Sequence, residues 1–260
     1  MQNQVKKIFR PSAWLLAFNF AFGLMLFQKF IDYRYEYALY RTMATNNRVA
    51  GDEAQTFKNL VALTYRIQAA RSANVRGMMG MNPLKGRLFR SGDMQLLDAN
   101  GACGNFSHVL AEFCQAADMD IRLVQLKQNG KFGSHIIMEA KVNGKWATAD
   151  CLFKTIIYNP DSSFASMAEV QKTPALYANS FPAHYPYADA YKDYRYTNWD
   201  KIPVLMPMLK SILTLVKGPE WTNTLSLRVY FLNLHKAQFF FLLLLYIPLF
   251  FYSLKHIICL

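Results

Sequence analysis

The chain has 260 residues, 53% of them hydrophobic and 18% charged, with 29 Lys and Arg against 17 Asp and Glu for a net charge of +12. Ordinary soluble domains carry about 25% charge and disordered chains much less apolar surface than this, so disorder is excluded for most of the chain, and a small disulfide- or metal-stapled scaffold is excluded by length. The basic residues are scattered and form no run longer than Lys6-Lys7, which points to anionic lipid headgroups and away from nucleic acid.

The shortage of charge is local. Residues 11–28 and 237–254 contain none. Helices of that length reach about 27 Å, close to the hydrocarbon thickness of a bilayer, so two transmembrane helices are predicted, at 13–31 and 237–254. Pro248 inside the second kinks a membrane helix without forbidding it. The first follows Lys6, Lys7 and Arg10, as in a signal peptide, but Phe27-Gln28-Lys29-Phe30 offers no small-residue cleavage site, so it reads as a retained anchor. Basic residues flank the first segment on both sides. The expected orientation puts both ends in the cytoplasm and the central domain outside, at a bacterial inner membrane.

Residues 41–75 repeat apolar positions at helical spacing, and 78–97, broken by Gly80, Pro83, Gly86 and Gly92, read as an irregular loop. After Asn100-Gly101-Ala102, the residues Phe106, Val109, Leu110, Phe113 and Ala117 mark one stripe of a helix starting near Cys103, with Ser107 and Glu112 off it. A strand follows at 121–128, closed by Asn129-Gly130; strands 134–142 and 145–150 are joined by Asn143-Gly144, a strong two-residue hairpin signal. If those two residues form the loop, opposed positions sum to 287. His135 and Asp150 then share a face one diagonal step apart, about 7–8 Å, which an imidazole and a carboxylate can close. Ile136, Met138, Ala140, Val142, Ala147 and Ala149 take the opposite face as core, leaving the His135/Asp150 face turned elsewhere.

Cys103 supplies a third member. A thiol at a helix N-terminus meets the positive end of the helix dipole, which favours the thiolate. Gly101 and Gly104 leave room for a substrate carbonyl. His108, about 140° around the helix from Cys103, cannot share its face, and Cys103, His108 and Cys114 do not converge as zinc ligands. Cys103 and Cys114 are too far apart on one helix for a disulfide, and Cys114 and Cys151 read as core residues. No cofactor or metal site is expected.

The segments Gly101-Ala102-Cys103-Gly104-Asn105-Phe106-Ser107-His108, Asp120-Ile121-Arg122-Leu123-Val124, Ser134-His135 and Gly144-Lys145-Trp146-Ala147-Thr148-Ala149-Asp150 resemble the core of the transglutaminase-like superfamily. The resemblance covers about a third of the chain. It implies a papain-like α+β fold, a nucleophile helix packed on an antiparallel sheet, with Cys103 as nucleophile, His135 as general acid/base and Asp150 as orienting carboxylate. Gly104, Ile137 and Cys151 depart from the better-known members, where Trp, an aromatic and Pro are frequent. Gln95, Gly104 and Trp146 are candidates for the oxyanion site or the cleft wall.

The expected organisation is a basic tail (1–12), a transmembrane helix (13–31), the transglutaminase-like domain (32–200), an amphipathic or interfacial segment (201–236), a second transmembrane helix (237–254) and a tail (255–260). Tyr185, Tyr187, Tyr191, Tyr194, Tyr196 and Trp199 suit a cleft rim or a membrane interface. The expected function is thiol-dependent acyl transfer or hydrolysis on a peptide or carboxamide. The alternative is a catalytically silent domain binding a membrane-protein partner, as in an envelope or polymer-export assembly.

Overall fold

The computed structural model describes residues 11–72, 92–97 and 103–258; most of the predicted irregular loop, and Gly101, lie outside them. The chain divides into two compact units, Met1–Ala38 with Asn233–Leu260, and Leu39–Leu232.

The smaller unit is built from two long helices, α1 (Pro11–Thr45), of which its first part belongs here, and α8 (Leu234–Ile258), which continues through Pro248. Both are long and apolar enough to cross a membrane. They run antiparallel: Asn19 Nδ2 donates to Ser253 Oγ at 2.7 Å, Phe22 stacks on Tyr246 at 5.5 Å, and Phe30 meets Phe239 at 5.4 Å. A Cβ at Gly23 would stand 3.5 Å from the Tyr246 hydroxyl, so the glycine lets the helices approach closely. Trp14, Phe20, Phe27, Phe241, Leu244 and Phe251 project outward, exposed.

Helix α1 does not stop at residue 31. Between Leu24 and Thr45 no Gly or Pro interrupts it, so it absorbs the start of the helix expected at 41–75. The break comes at 46–52, and α2 (Glu53–Ser72) begins after Asp52, whose carboxylate accepts from the Gln55 amide at 2.8 Å.

The larger unit is α+β. Short α3 (Gly92–Leu97) and α4 (Cys103–Ala116) precede β1 (Ile121–Gln128), β2 (Lys131–Val142), β3 (Lys145–Asp150) and β4 (Thr155–Ile156). After α5 (Met167–Lys172), β5 (Tyr194–Arg195) completes an antiparallel sheet in the order β4-β3-β2-β1-β5. Helices α6 (Leu205–Lys217) and α7 (Pro219–Thr224) follow. Strand β2 starts three residues before its predicted position, and the β2–β3 register pairs Val142 with Lys145 and Met138 with Ala149, as the two-residue turn requires.

One sheet face is covered as expected except at Ile136, which is only partly buried. Leu123, Met138, Ala140, Val142, Ala147 and Ala149 pack under α2 and α4 with Phe57, Leu60, Phe106, Leu110 and Phe113. Each large apolar side chain buried there contributes about 1.5–3 kcal/mol. Helix α4 is enclosed nearly all round, because Ser107 and Glu112, expected on its open side, are buried too. The second face is not open either. Val124, Leu126 and Ile137 form a second core with Tyr177, Tyr185, Tyr191 and Tyr196 from the aromatic segment after β4. With the sheet buried on both faces, the candidate residues gather at one end of it.

Candidate active site

Four pieces of chain meet at that end. Cys103 is the first residue of α4, at the helix terminus where backbone N–H groups lack intrahelical acceptors. The Ser107 hydroxyl, one turn on, donates to the Ile136 carbonyl at 2.7 Å and ties α4 to β2 beside His135. The β1–β2 register breaks between Leu126 and Lys127, so that Gly133 and Ser134 bulge out and His135 is the first residue of the regular ladder. Gly133 has φ 80°, which suits glycine at such a bend.

Asp150 ends β3, and its carboxylate is held by three donors. Oδ1 accepts from the Leu152 amide at 3.1 Å, capping the 3-10 turn Cys151–Phe153, while Oδ2 accepts from His135 Nε2 at 2.5 Å and from the Tyr185 hydroxyl. The diagonal pairing deduced from the turn therefore closes into a hydrogen bond. With Nε2 on the carboxylate, Nδ1 is left for Cys103. Nδ1 has no partner of ordinary hydrogen-bond geometry, so the thiol–imidazole contact is looser than the imidazole–carboxylate one.

Burial pushes the Cys103 thiol up, but the loose contact with His135, the charge of its ring and the Ile136 amide outweigh it, and the thiol lies below its ordinary value. Asp150 opposes this through its charge. Burial pulls His135 down, yet the hydrogen bonds and charges of Asp150 and Cys103 raise it to about 9. The two shifts are coupled: each of the two groups favours the charged form of the other. Cys114 and Cys151 differ, being fully buried free thiols whose desolvation raises both.

The His135 ring is fully covered. Tyr187 stacks on it at 3.8 Å with planes 3° apart, and Phe153 approaches edge-on at 6.2 Å. Tyr185 in turn touches Tyr191, hydroxyl to hydroxyl at 3.1 Å. Cys103 is only partly buried, whereas His135 and Asp150 are fully covered. Arg228, on the 3-10 turn Leu227–Phe231, is close enough to interact electrostatically with Cys103 and with His108. His108 stands apart from the triad: its Nε2 lies 3.1 Å from the Leu232 carbonyl, and burial with the Arg228 charge pushes its pKa down to about 4.

The other candidates separate. Gly104 is next to the thiol, and among the described residues a Cβ there would meet Ile136 Cδ1 alone, at 3.7 Å. Gln95 is a buried residue of α3, and its carbonyl accepts from Gln68 Nε2 at 3.2 Å; among the described residues its side chain makes no hydrogen bond to the triad. Trp146 shares the face of Asp150 but pairs with Lys141, six positions along β2 from His135 and about 20 Å away. It lies 3.6 Å under the Arg122 guanidinium, which Glu139 binds at 2.9 Å, so it does not wall this cleft. Tyr185, Tyr187, Phe153 and Arg228 complete the site; the two tyrosines were expected at a cleft rim or a membrane interface, whereas Phe153 and Arg228 were not singled out from sequence. Tyr185 and Tyr187 belong to a visibly aromatic stretch, but its spacing follows no regular period that assigns a face.

The comparisons give no relative against which to set this arrangement: no protein-family model, no curated protein and no solved structure matches the chain.

Proposed function

We propose that this is a membrane-anchored thiol enzyme with a papain-like, transglutaminase-like core, acting on a peptide or carboxamide through Cys103, His135 and Asp150. The observation that carries the proposal is the Asp150–His135 hydrogen bond at 2.5 Å, with Cys103 both lowered in pKa and partly exposed beside the ring. The thiolate attacks the carbonyl carbon, and the oxygen takes the displaced π electrons as an oxyanion. Collapse of this intermediate breaks the C–N bond, His135 gives its proton to the departing amine, and a thioester remains on Cys103. Attack by water, deprotonated by the now neutral ring, returns the carboxylic acid and the thiol; attack by an amine gives a new amide instead. Asp150 holds the ring by Nε2, keeps Nδ1 toward sulfur and stabilises the imidazolium.

The antiparallel pairing of α1 and α8 supports a two-span hairpin with both chain ends on one side of a bilayer. We assign the larger unit to the extracytoplasmic side of a bacterial inner membrane, where peptides and amides of the envelope are the accessible substrates.

The test is trapping. The full chain in detergent is offered a mixed library of glutamine-bearing and peptide substrates, and the Cys103 peptide is read by mass spectrometry for an acyl adduct that hydroxylamine releases. Wild type is expected to carry it, and Cys103→Ser and His135→Ala are expected to lack the hydroxylamine-sensitive thioester. Complete coverage of the His135 ring by Tyr187 favours a second reading, a silent domain that binds a partner; an adduct-free Cys103 whose alkylation rises only above pH 8 and ignores His135→Ala would support it.

A further inference from the structure

We propose that α6 lies in the lipid–water interface of the bilayer, with its apolar stripe inserted among acyl chains and the exposed Lys201 and Lys217, at its two flanks, near anionic headgroups. The inference rests on the membrane anchoring proposed above and adds a second attachment, made by the soluble unit itself.

The evidence is a helix turned inside out relative to its domain. At 100° per residue Leu205, Met208, Ile212, Leu215 and Val216 fall within an arc of about 100°. All five are exposed, Leu215 at 89%, and no residue of α6 is buried. The polar side faces the protein: Pro207, Lys210 and Ser211 line a cavity of about 660 Å³ with Phe132, Tyr194 and Tyr196 at the β5 edge of the sheet. A helix stabilised by its own core shows the reverse arrangement, because burying the apolar arc is what makes a surface helix worth forming. This one leaves about a hundred degrees of Leu, Ile, Met and Val to an outside apolar phase.

Charge selects the occupant. Between Lys201 and Pro219 the only charged residues are Lys201, Lys210 and Lys217. Anionic headgroups complement such a segment at about 1 kcal/mol per basic residue near the surface. A second copy would set lysine against lysine across a two-fold interface, in a chain already at +12. Trp221, 40% exposed in α7 immediately after, is of the residue type that settles at headgroup level. An amphipathic helix of this kind buries its apolar face about 5–10 Å into the headgroup–acyl boundary.

The full chain is reconstituted in nanodiscs of phosphatidylcholine with phosphatidylglycerol, with a nitrobenzoxadiazole probe placed in turn at Leu215, at Ser211 and at Leu244 of α8. Quenching by brominated acyl chains is expected to be about threefold or more stronger at 215 than at 211, and quenching by aqueous iodide the reverse. Iodide access at 215, or shielding of 215 from both quenchers, overturns the inference; the latter indicates a second copy or a partner protein, and exchange between two probe colours at 215 identifies the copy. The Leu244 probe separates the two claims. If it is quenched by lipid while 215 is not, only the α6 docking fails; if it is not quenched, the membrane anchoring fails as well.

Discussion

Replacing Asp150 by Asn keeps the side chain's shape and removes the charge that holds the His135 ring positive. In the native site burial pulls the imidazole down, and its bonds and charges with Asp150 and Cys103 carry it up from 6.5 to about 9. At 1.36 kcal/mol per pKa unit that rise is about 3 kcal/mol of preference for imidazolium, a ceiling for Asp150 because Cys103 shares in it. Without the carboxylate only Cys103 opposes the effect of burial, and the ring is expected to titrate below its native value of about 9. The variant's ring is then less charged than the native one at pH 7.5, so the thiol loses part of the cation that lowers it. The assay is alkylation by iodoacetamide from pH 5 to 10, scored on the Cys103 peptide by mass spectrometry; Cys114 and Cys151 are fully buried and stay silent in the folded protein. Native reactivity is expected to rise below the ordinary thiol value of 9.0. In Asp150→Asn the profile moves to higher pH, with about tenfold lost at pH 7 for each unit of displacement. Linkage gives a second readout with a definite sign. A histidine raised in the folded state adds stability that is fully present below pH 6.5 and lost as pH rises through about 9. The melting-temperature gap between native protein and variant is therefore widest below pH 6.5 and narrows toward pH 10. An alkylation profile that ignores the substitution refutes the reasoning, since the ring's charge would then not come from Asp150.

Tyr187→Ala removes the ring stacked on His135 and opens the cleft, so a bulky maleimide is expected to modify Cys103 about tenfold faster than in wild type while iodoacetamide changes little; equal acceleration of both reagents counts against a steric roof. Glu139→Ala strips the acceptor shared by Arg122 at 2.9 Å, the Tyr196 hydroxyl at 2.7 Å and the Met167 amide at 2.8 Å. The expected loss is about 3–5 kcal/mol, because the half-buried Arg122 charge is left unpaired, and a melting shift under about 3 °C contradicts it. Gly104→Ala is expected to fold with unchanged or slightly higher melting temperature, since the added Cβ meets Ile136 Cδ1 at an ordinary 3.7 Å; collapse of the fold would mean that this glycine has a backbone role the geometry does not require.

The legible parts of this chain are those governed by local rules. Asn143-Gly144 fixes a two-residue turn, the turn fixes the register, and the register places His135 diagonally from Asp150 before any tertiary contact is considered. The α4 stripe from Phe106 to Phe113 follows from period alone. What was not legible is what covers a face. Alternation along β2 and β3 separates two sides but cannot say that Tyr185 and Tyr191, some forty residues later, return to bury the second one. The segment supplying them is made of 3-10 turns, Pro174–Ser180 and Ala188–Lys192, which have no periodic signature. The extent of α1 was missed for a related reason: membrane length sets where an anchor can stop, whereas the helix stops only where Asn46, Asn47 and Gly51 break it.

The tight link between β2 and β3 gives loop length a chemical meaning. Lengthening or shortening it by a single residue, with β2 held in place by β1, would move every side chain of β3 to the opposite surface. The carboxylate would then point into the core that holds Leu110 and Cys114, and its place before the imidazole would fall to Ala149 on lengthening or to Cys151 on shortening. Most surface loops tolerate such indels; at Asn143-Gly144 the spacing of the chain decides whether His135 and Asp150 meet at all.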